Sequence, residues 1–227
     1  MCNSASEFLE RKLEDSVIDL FRKRVGKLAR KVDKQVITSP LNGQDRELGA
    51  DFFLSEMTKF SIFEFKYREN DIKTEVRKDL RKVLCEKLQQ DAVNKNLHKE
   101  CHFIAWSTKE KNPNVEVNIY CNEVCNKSIF KKSNILDEMR VSDTRQSDID
   151  FITEFLAGNK GLEYKVFFKY INWLLGVAGD TSGRFELLFE HPDENIIDSV
   201  PITSLSQLRE WLIENKPKPT IKSSLTP

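Results

Sequence analysis

The chain contains no Gly-rich loop of the P-loop or dinucleotide-binding kind, so a nucleotide cradled on such a turn is not expected. No apolar run is long enough for a bilayer. The longest, Val166 to Ala178, is interrupted by Lys169 and Asn172. An export signal is also not expected, since Met1 is followed by polar residues and then by Glu7, Glu10 and Arg11. Tight CxxC knuckles are absent. The cysteines Cys2, Cys85, Cys101, Cys121 and Cys125 make an odd count, expected to be reduced thiols of a cytoplasmic protein. Zinc on Cys101-His102 and Cys121-x-x-x-Cys125 is the alternative to cysteines packed as small apolar groups. His98, His102 and His191 are the only histidines, and none has local support for a Cys-His dyad. Neither an internal repeat nor a stacked-aromatic motif of the RRM type is visible, which argues against a self-contained RNA-binding module.

Net charge is absent too, with 36 Lys/Arg against 36 Asp/Glu, but the balance is uneven along the chain. Arg11 to Lys34 holds nine cations against four carboxylates, and Lys66 to Lys87 eight against five. Ser133 to Val200 reverses this, with six against thirteen. A basic front half suits a polyanionic partner, although solvated helix faces give the same counts.

Apolar periodicity predicts a helix over 5–34, with Val17, Phe21, Val25, Leu28 and Val32 on one stripe. The loop SPLNGQDRELGA follows, after a short strand at Val36 to Thr38. DFFLSEM (51–57) and KFSIFEFKY (59–67) read as two strands of a hairpin. A helix runs from Asn70 or Asp71 to about Asp91, and strands are expected over 102–108 and 115–121. The class is mixed α/β, a central mixed sheet flanked by helices. The polar stretch Asn126 to Arg145 marks a boundary between a core at 1–125 and a C-terminal α+β region at 126–227. In that region DIDFITEFLAG and EYKVFFKYINWLLGV read as helices and RFELLFEH as a strand, with a capping box at Ser204 and Gln207 opening a last helix.

Within FSIFEFKYREN (60–70) the apolar residues fall on both faces, as in a strand covered on both sides. Glu64 and Lys66 nevertheless sit inside it, and buried charges need partners. If the hairpin turn centres between Met57 and Thr58, Asp51 lies directly opposite Glu64. Side-chain alternation then projects Asp51, Glu64 and Lys66 from one face. Two carboxylates so close repel unless a cation or a shared proton lies between them. A hard divalent ion takes such ligands, and a nearby lysine can orient or activate a bound water. Glu7, Glu10 and Glu14 fall on the core-facing stripe of the first helix, where a merely solubilising carboxylate does not belong. Acidic residues at a helix N-terminus, and a Glu64–Lys66 salt bridge on a half-exposed strand, are the plain alternatives.

These residues resemble the PD-(D/E)xK nuclease superfamily over residues 5 to about 121. The resemblance assigns the family's second-strand aspartate to Asp51 and its (D/E)xK to Glu64, Phe65 and Lys66. The helix-one glutamate falls on Glu14 or Glu10. It implies a restriction-endonuclease-like core in which Asp51, Glu64, Glu14 or Glu10, and the Phe65 carbonyl hold Mg²⁺ or Mn²⁺. Lys66 then assists the water that attacks a phosphodiester. Ala50 stands where the family often has proline. DNA is the partner implied, in restriction, phage defence or DNA processing. Lys73, Arg77 and Arg81 form a basic ridge for its phosphates, unless they are ion-paired with the interleaved Glu75 and Asp79. The competing expectation is a non-catalytic binding or regulatory module, with the acidic C-terminal half serving a protein partner or a homodimer.

Overall fold

The computed structural model describes residues 3–41, 48–108, 114–179, 185–190, 197–202 and residue 210. Its first helix, α1 (Asn3–Lys31), precedes strands β1 (Ile37–Pro40), β2 (Phe52–Ser55) and β3 (Lys59–Arg68). A 3₁₀ helix (Glu69–Arg77), α2 (Asp79–Gln90) and α3 (Ala92–Cys101) then lead to β4 (His102–Ser107). After β5 (Val115–Ile119) and the short α4 (Tyr120–Val124) come β6 (Gln146–Ser147), α5 (Asp148–Leu156), β7 (Leu162–Glu163) and α6 (Tyr164–Ala178). The sheet order is β1-β2-β3-β4-β5-β6, with β7 pairing beside β4 on the start of β3. Among the described strands only β3 and β4 pair in parallel, which the long helical connection between them permits. The fold is therefore mixed α/β, with a seven-stranded, mostly antiparallel sheet. A separate hairpin joins β8 (Phe185–Glu190) and β9 (Ile197–Ile202). No helix among the described residues is long and apolar enough to cross a membrane.

Alternation along the strands sorts the core into two layers. Phe52, Leu54, Phe63, Phe65, Phe103 and Ala105 pack with Val17, Phe21 and Val25 of α1 and Phe151 and Phe155 of α5. Phe53, Phe60, Ile62, Ile104 and Trp106 face α2, α3 and α6 on the other side. The stripe of α1 ends at Ala29 rather than Val32, which is 57% exposed.

Both cores and the sheet continue past residue 126, because β6 and β7 join the sheet while α5 and α6 each cover one face. Among the described residues, no packing boundary follows the polar stretch from Asn126 to Arg145. Its polarity has another cause: Arg145 reaches the buried Glu123 at 2.6 Å and clasps this segment onto the core. The capping box at Ser204 and Gln207, and His191, lie outside the described residues.

Three local differences from expectation have physical reasons. The single helix expected from Asn70 to Asp91 is broken at Lys78, whose backbone is extended. The Asp71 carboxylate accepts from Arg68 N–H, and Thr74 Oγ1 donates to the Asp71 carbonyl, which tightens the first part into 3₁₀ geometry. The hairpin turn uses Met57 at a φ of 78°, with Ser55 Oγ accepting from its N–H, so the left-handed residue is not a glycine. Cys85 and Cys125 form a disulfide, which corrects the expectation that all the thiols are reduced and removes Cys125 as a zinc ligand. Cys101 and Cys121 are free and buried.

Phe63 is the hub of the α1-side core, with ring centroids at 5.1 Å to Phe21, 5.4 Å to Phe103 and 5.2 Å to Phe151. Phe63→Ala should cost about 3–5 kcal/mol in urea unfolding. A loss below about 1 kcal/mol would mean that this layer is not close-packed.

Candidate active site

The β2–β3 register pairs Phe52 with Phe63 and Ser55 with Phe60. One step further along the same ladder, Asp51 stands opposite Glu64. Two bonds fix it there: Asp51 N–H donates to the Phe63 carbonyl at 2.6 Å, and Phe65 N–H donates to Asp51 Oδ2 at 2.8 Å. Phe65 is thus tied to the aspartate through its amide, while its ring belongs to the α1-side core. Glu64 and Lys66 share the opposite face with Ile62.

Glu64 is fully buried and Lys66 is 3% exposed. Lys66 Nζ lies 2.5 Å from Glu64 Oε1 and 3.0 Å from Glu75 Oε1. Lys78 reaches the same two oxygens, bonding Glu64 and lying 3.0 Å from Glu75. Arg81 Nε donates to Glu75 Oε2 at 3.3 Å, and the Tyr120 hydroxyl donates to that oxygen at 2.7 Å. Glu14 comes within 3.9 Å of Lys66 although α1 packs on the other face of the sheet. The Glu10 side chain lies outside the described residues. The cluster therefore sets four carboxylates (Glu14, Asp51, Glu64, Glu75) against three cations (Lys66, Lys78, Arg81).

Glu75 is a member that sequence reasoning placed on the surface. In a 3₁₀ helix residues three apart eclipse, so Ile72 and Glu75 point inward together, which an α-helical reading does not give. Arg81 is likewise 2% exposed and ion-paired. It is therefore not part of an exposed ridge with Lys73 and Arg77, both of which remain exposed. The break at Lys78 shifts the phase of α2 and turns Arg81 inward.

Protonation follows burial and neighbours. Burial first, and the Glu64 charge second, push the Asp51 carboxyl up to about 7. Burial also raises Glu14, against the pull of Lys66. For Glu75 burial works in the same direction, but the Lys66, Lys78 and Arg81 cations outweigh it and hold the carboxyl well below its usual range. Burial opposes the charge on Lys66, yet Glu64 and Glu75 keep it firmly protonated. Glu64 Oε2 has no hydrogen-bond partner among the described residues, and its closest ion contact is Arg81 at 3.9 Å. Removing one partner from such a cluster typically costs about 3–5 kcal/mol.

A second buried network supports the chain that leads into Asp51. His102 Nε2 lies 2.8 Å from the Gly49 carbonyl, which can only accept, so this nitrogen carries the proton. His102 Nδ1 then accepts from the Tyr170 hydroxyl at 2.9 Å. His98 Nδ1–H donates to the same hydroxyl at 2.7 Å, and His98 Nε2 accepts from Cys121 N–H at 3.1 Å. Burial holds His98 well below its usual range and His102 down to about 3, so both rings are neutral. Neither nitrogen of either ring is left for zinc. Gly49 has a φ of 68°, and a Cβ there would meet the Arg81 guanidinium at 3.1 Å, so only glycine passes this point.

Among the described residues, no group of three or more His, Cys, Asp or Glu side chains is gathered as a metal-ligand set. The ammonium groups of Lys66 and Lys78 stand where such a set would close around a cation. Asp51 and Glu64 are nonetheless hard oxygen donors facing each other, one with a raised pKa and the other with an unsatisfied oxygen. That pair fits an ion such as Mg²⁺, which keeps several of its waters. Comparison with family models, curated proteins and solved structures finds no match to this chain.

A raised acid pKa has a definite linkage sign. The unfolded chain ionises Asp51 from about pH 4, and the folded protein only near 7. Stability is therefore lost as pH rises through that window, by up to about 1.4 kcal/mol per pH unit. Asp51→Asn should abolish this slope in urea unfolding in EDTA, leaving the variant increasingly more stable than wild type as pH rises from about 5 towards about 7, with the difference levelling off above that. Parallel pH profiles would contradict the raised carboxyl.

Proposed function

We propose that this chain is a Mg²⁺-dependent nuclease that hydrolyses phosphodiester bonds in DNA. The observation that carries this is the Asp51–Glu64 pair, two carboxylates facing each other across a hairpin with an ammonium two residues on. Perturbed carboxyls in a charged, largely buried cluster are costly for stability and are found where chemistry needs them. The element order is consistent with the resemblance drawn from sequence: a helix, three antiparallel strands, helices, and a strand parallel to the third.

Asp51 and Glu64 would hold the ion, with Glu14 as a further carboxylate 3.9 Å from the Lys66 ammonium. When bound, the ion would supply charge to the transferring phosphoryl group and lower the pKa of its waters. Lys66 stays protonated beside Glu64, so its role is that of a donor: it orients the attacking water or steadies the developing negative charge. The Phe65 amide locks the Asp51 carboxylate in place, and the Gly49–His102–Tyr170 network holds the backbone before it. Glu75 and Arg81 keep Lys66 and Lys78 at the cluster.

One observation favours the second reading, a non-catalytic module: Lys66 and Lys78 already neutralise Glu64 and Glu75 without an added ion. The two separate in a cleavage assay on single- and double-stranded DNA with Mg²⁺ or Mn²⁺. Wild type should cleave, and Glu64→Gln and Lys66→Met should each lose about 100-fold or more while remaining folded. Equal cleavage by the three proteins, or none with either ion, contradicts the nuclease.

A further inference from the structure

A cleft of about 720 Å³ opens between the 3₁₀ helix with the start of α2 on one side and the 128–132 segment on the other. Six cations line it: Lys73, Arg77, Lys78 and Lys82 on the first wall, Lys131 and Lys132 on the second. Asp79 is the one carboxylate among its lining residues. The two walls are about fifty residues apart in sequence, so this is not the striped charge of one solvated helix. Folding has brought together two separate basic segments.

Most of these cations are unspent. Lys82 has a long contact to Glu86 at 3.7 Å, whereas Lys73, Arg77, Lys131 and Lys132 have no ion-pair partner among the described residues. The second wall is also anchored rather than loose. Cys125, three residues before it, is disulfide-bonded to Cys85 of α2, and Ser133 Oγ donates to Glu86 of the same helix at 2.8 Å. Ile129 and Phe130 are each 4% exposed and fix the segment to the core beneath it. Like charges held this way repel unless an anion lies between them.

Lys78 connects the cleft to the buried cluster. It lines the cleft with its side chain 35% exposed, and its ammonium reaches Glu64 and Glu75. An anion occupying the cleft is thus led to the carboxylates by a side chain that belongs to both.

We infer that this cleft binds the sugar-phosphate backbone of a nucleic acid strand, with phosphates between Lys73, Arg77 and Lys82 on one wall and Lys131 and Lys132 on the other. The link from this cleft to hydrolysis rests on the nuclease proposal, but the binding itself does not. The site replaces the single-helix ridge read from sequence: Arg81 leaves it for the cluster, and Lys131 and Lys132 enter it.

The test is fluorescence anisotropy of a labelled single-stranded oligonucleotide in EDTA, so that nothing is cleaved, over a KCl series. The full chain is compared with Lys131→Glu/Lys132→Glu and with a control of equal charge change on α1, Lys27→Glu/Lys31→Glu. All four lysines are exposed, so the folds should persist, which melting curves check. The cleft variant should bind at least about ten-fold more weakly at 0.1 M salt. Its slope of log K against log salt should fall by about 1.4, two phosphate contacts on a single strand. The control should bind within about two-fold of wild type. Wild-type binding by the cleft variant, or an equal loss in the control, overturns the inference. So does full competition by polyglutamate at equal charge, which would assign the cleft to an acidic polypeptide. Cleft-dependent binding without cleavage overturns hydrolysis alone, and cleavage lost in Lys66→Met with binding intact in the cleft variant overturns the cleft alone.

Discussion

A carboxylate at the centre of a covered sheet must be answered by charge, and Glu64 sets that demand on everything near it. It is fully buried on β3, and Lys66, Lys78 and Arg81 converge on it from the same strand, the helix break and α2. Those cations exceed what one carboxylate balances, so Glu75 is drawn inward as a second anion and Tyr120 satisfies its outer oxygen. Asp51 completes the set, and burial with the Glu64 charge pushes its carboxyl up to about 7. Glu64, Glu75, Lys66 and Arg81 are buried at a cost that ion pairing recovers only in part.

How much of this was legible in the sequence depends on which physical rule governs each residue. The hairpin was legible because side-chain alternation and a fixed turn position determine which residues oppose: one register places Asp51 across from Glu64, and the ladder has that register. The inward direction of Glu64 and Lys66 followed from apolar neighbours on both sides of the strand. Glu75 and Arg81 were not legible, because the stretch after Arg68 was read with a 3.6-residue period. Its first half winds at three residues per turn and its second half restarts after Lys78. The α3 helix between Ala92 and Cys101 was missed as well, and with it the burial of His98. The disulfide depends on Cys85 and Cys125 meeting across 40 residues, which spacing alone does not reveal.

The C-terminal half contributes to the site instead of standing apart from it. Tyr170 of α6 sits between His98 and His102, and through His102 it holds the Gly49 carbonyl two residues before Asp51. Phe151 of α5 packs on Phe63, next to Glu64 in the chain. The aromatic richness of residues 151–173 is therefore core, and the acidic balance of that half is spent partly in clasps such as Arg24–Asp148. The basic cleft, by contrast, is built from the segment that sequence polarity marked as a boundary. Its lysines are exposed because the neighbouring Ile129 and Phe130 carry its anchoring.

The central claim is that Asp51 and Glu64 form a divalent-cation site now compensated by lysine. Anomalous diffraction from crystals soaked in Mn²⁺ at pH 8, where Asp51 is ionised, tests it most directly. A manganese peak in contact with both carboxylates, with the Lys78 ammonium withdrawn from Glu64, is the result expected. Crystals at saturating Mn²⁺ with no ion between Asp51 and Glu64, and with Lys66 and Lys78 still bonded to Glu64, would contradict it.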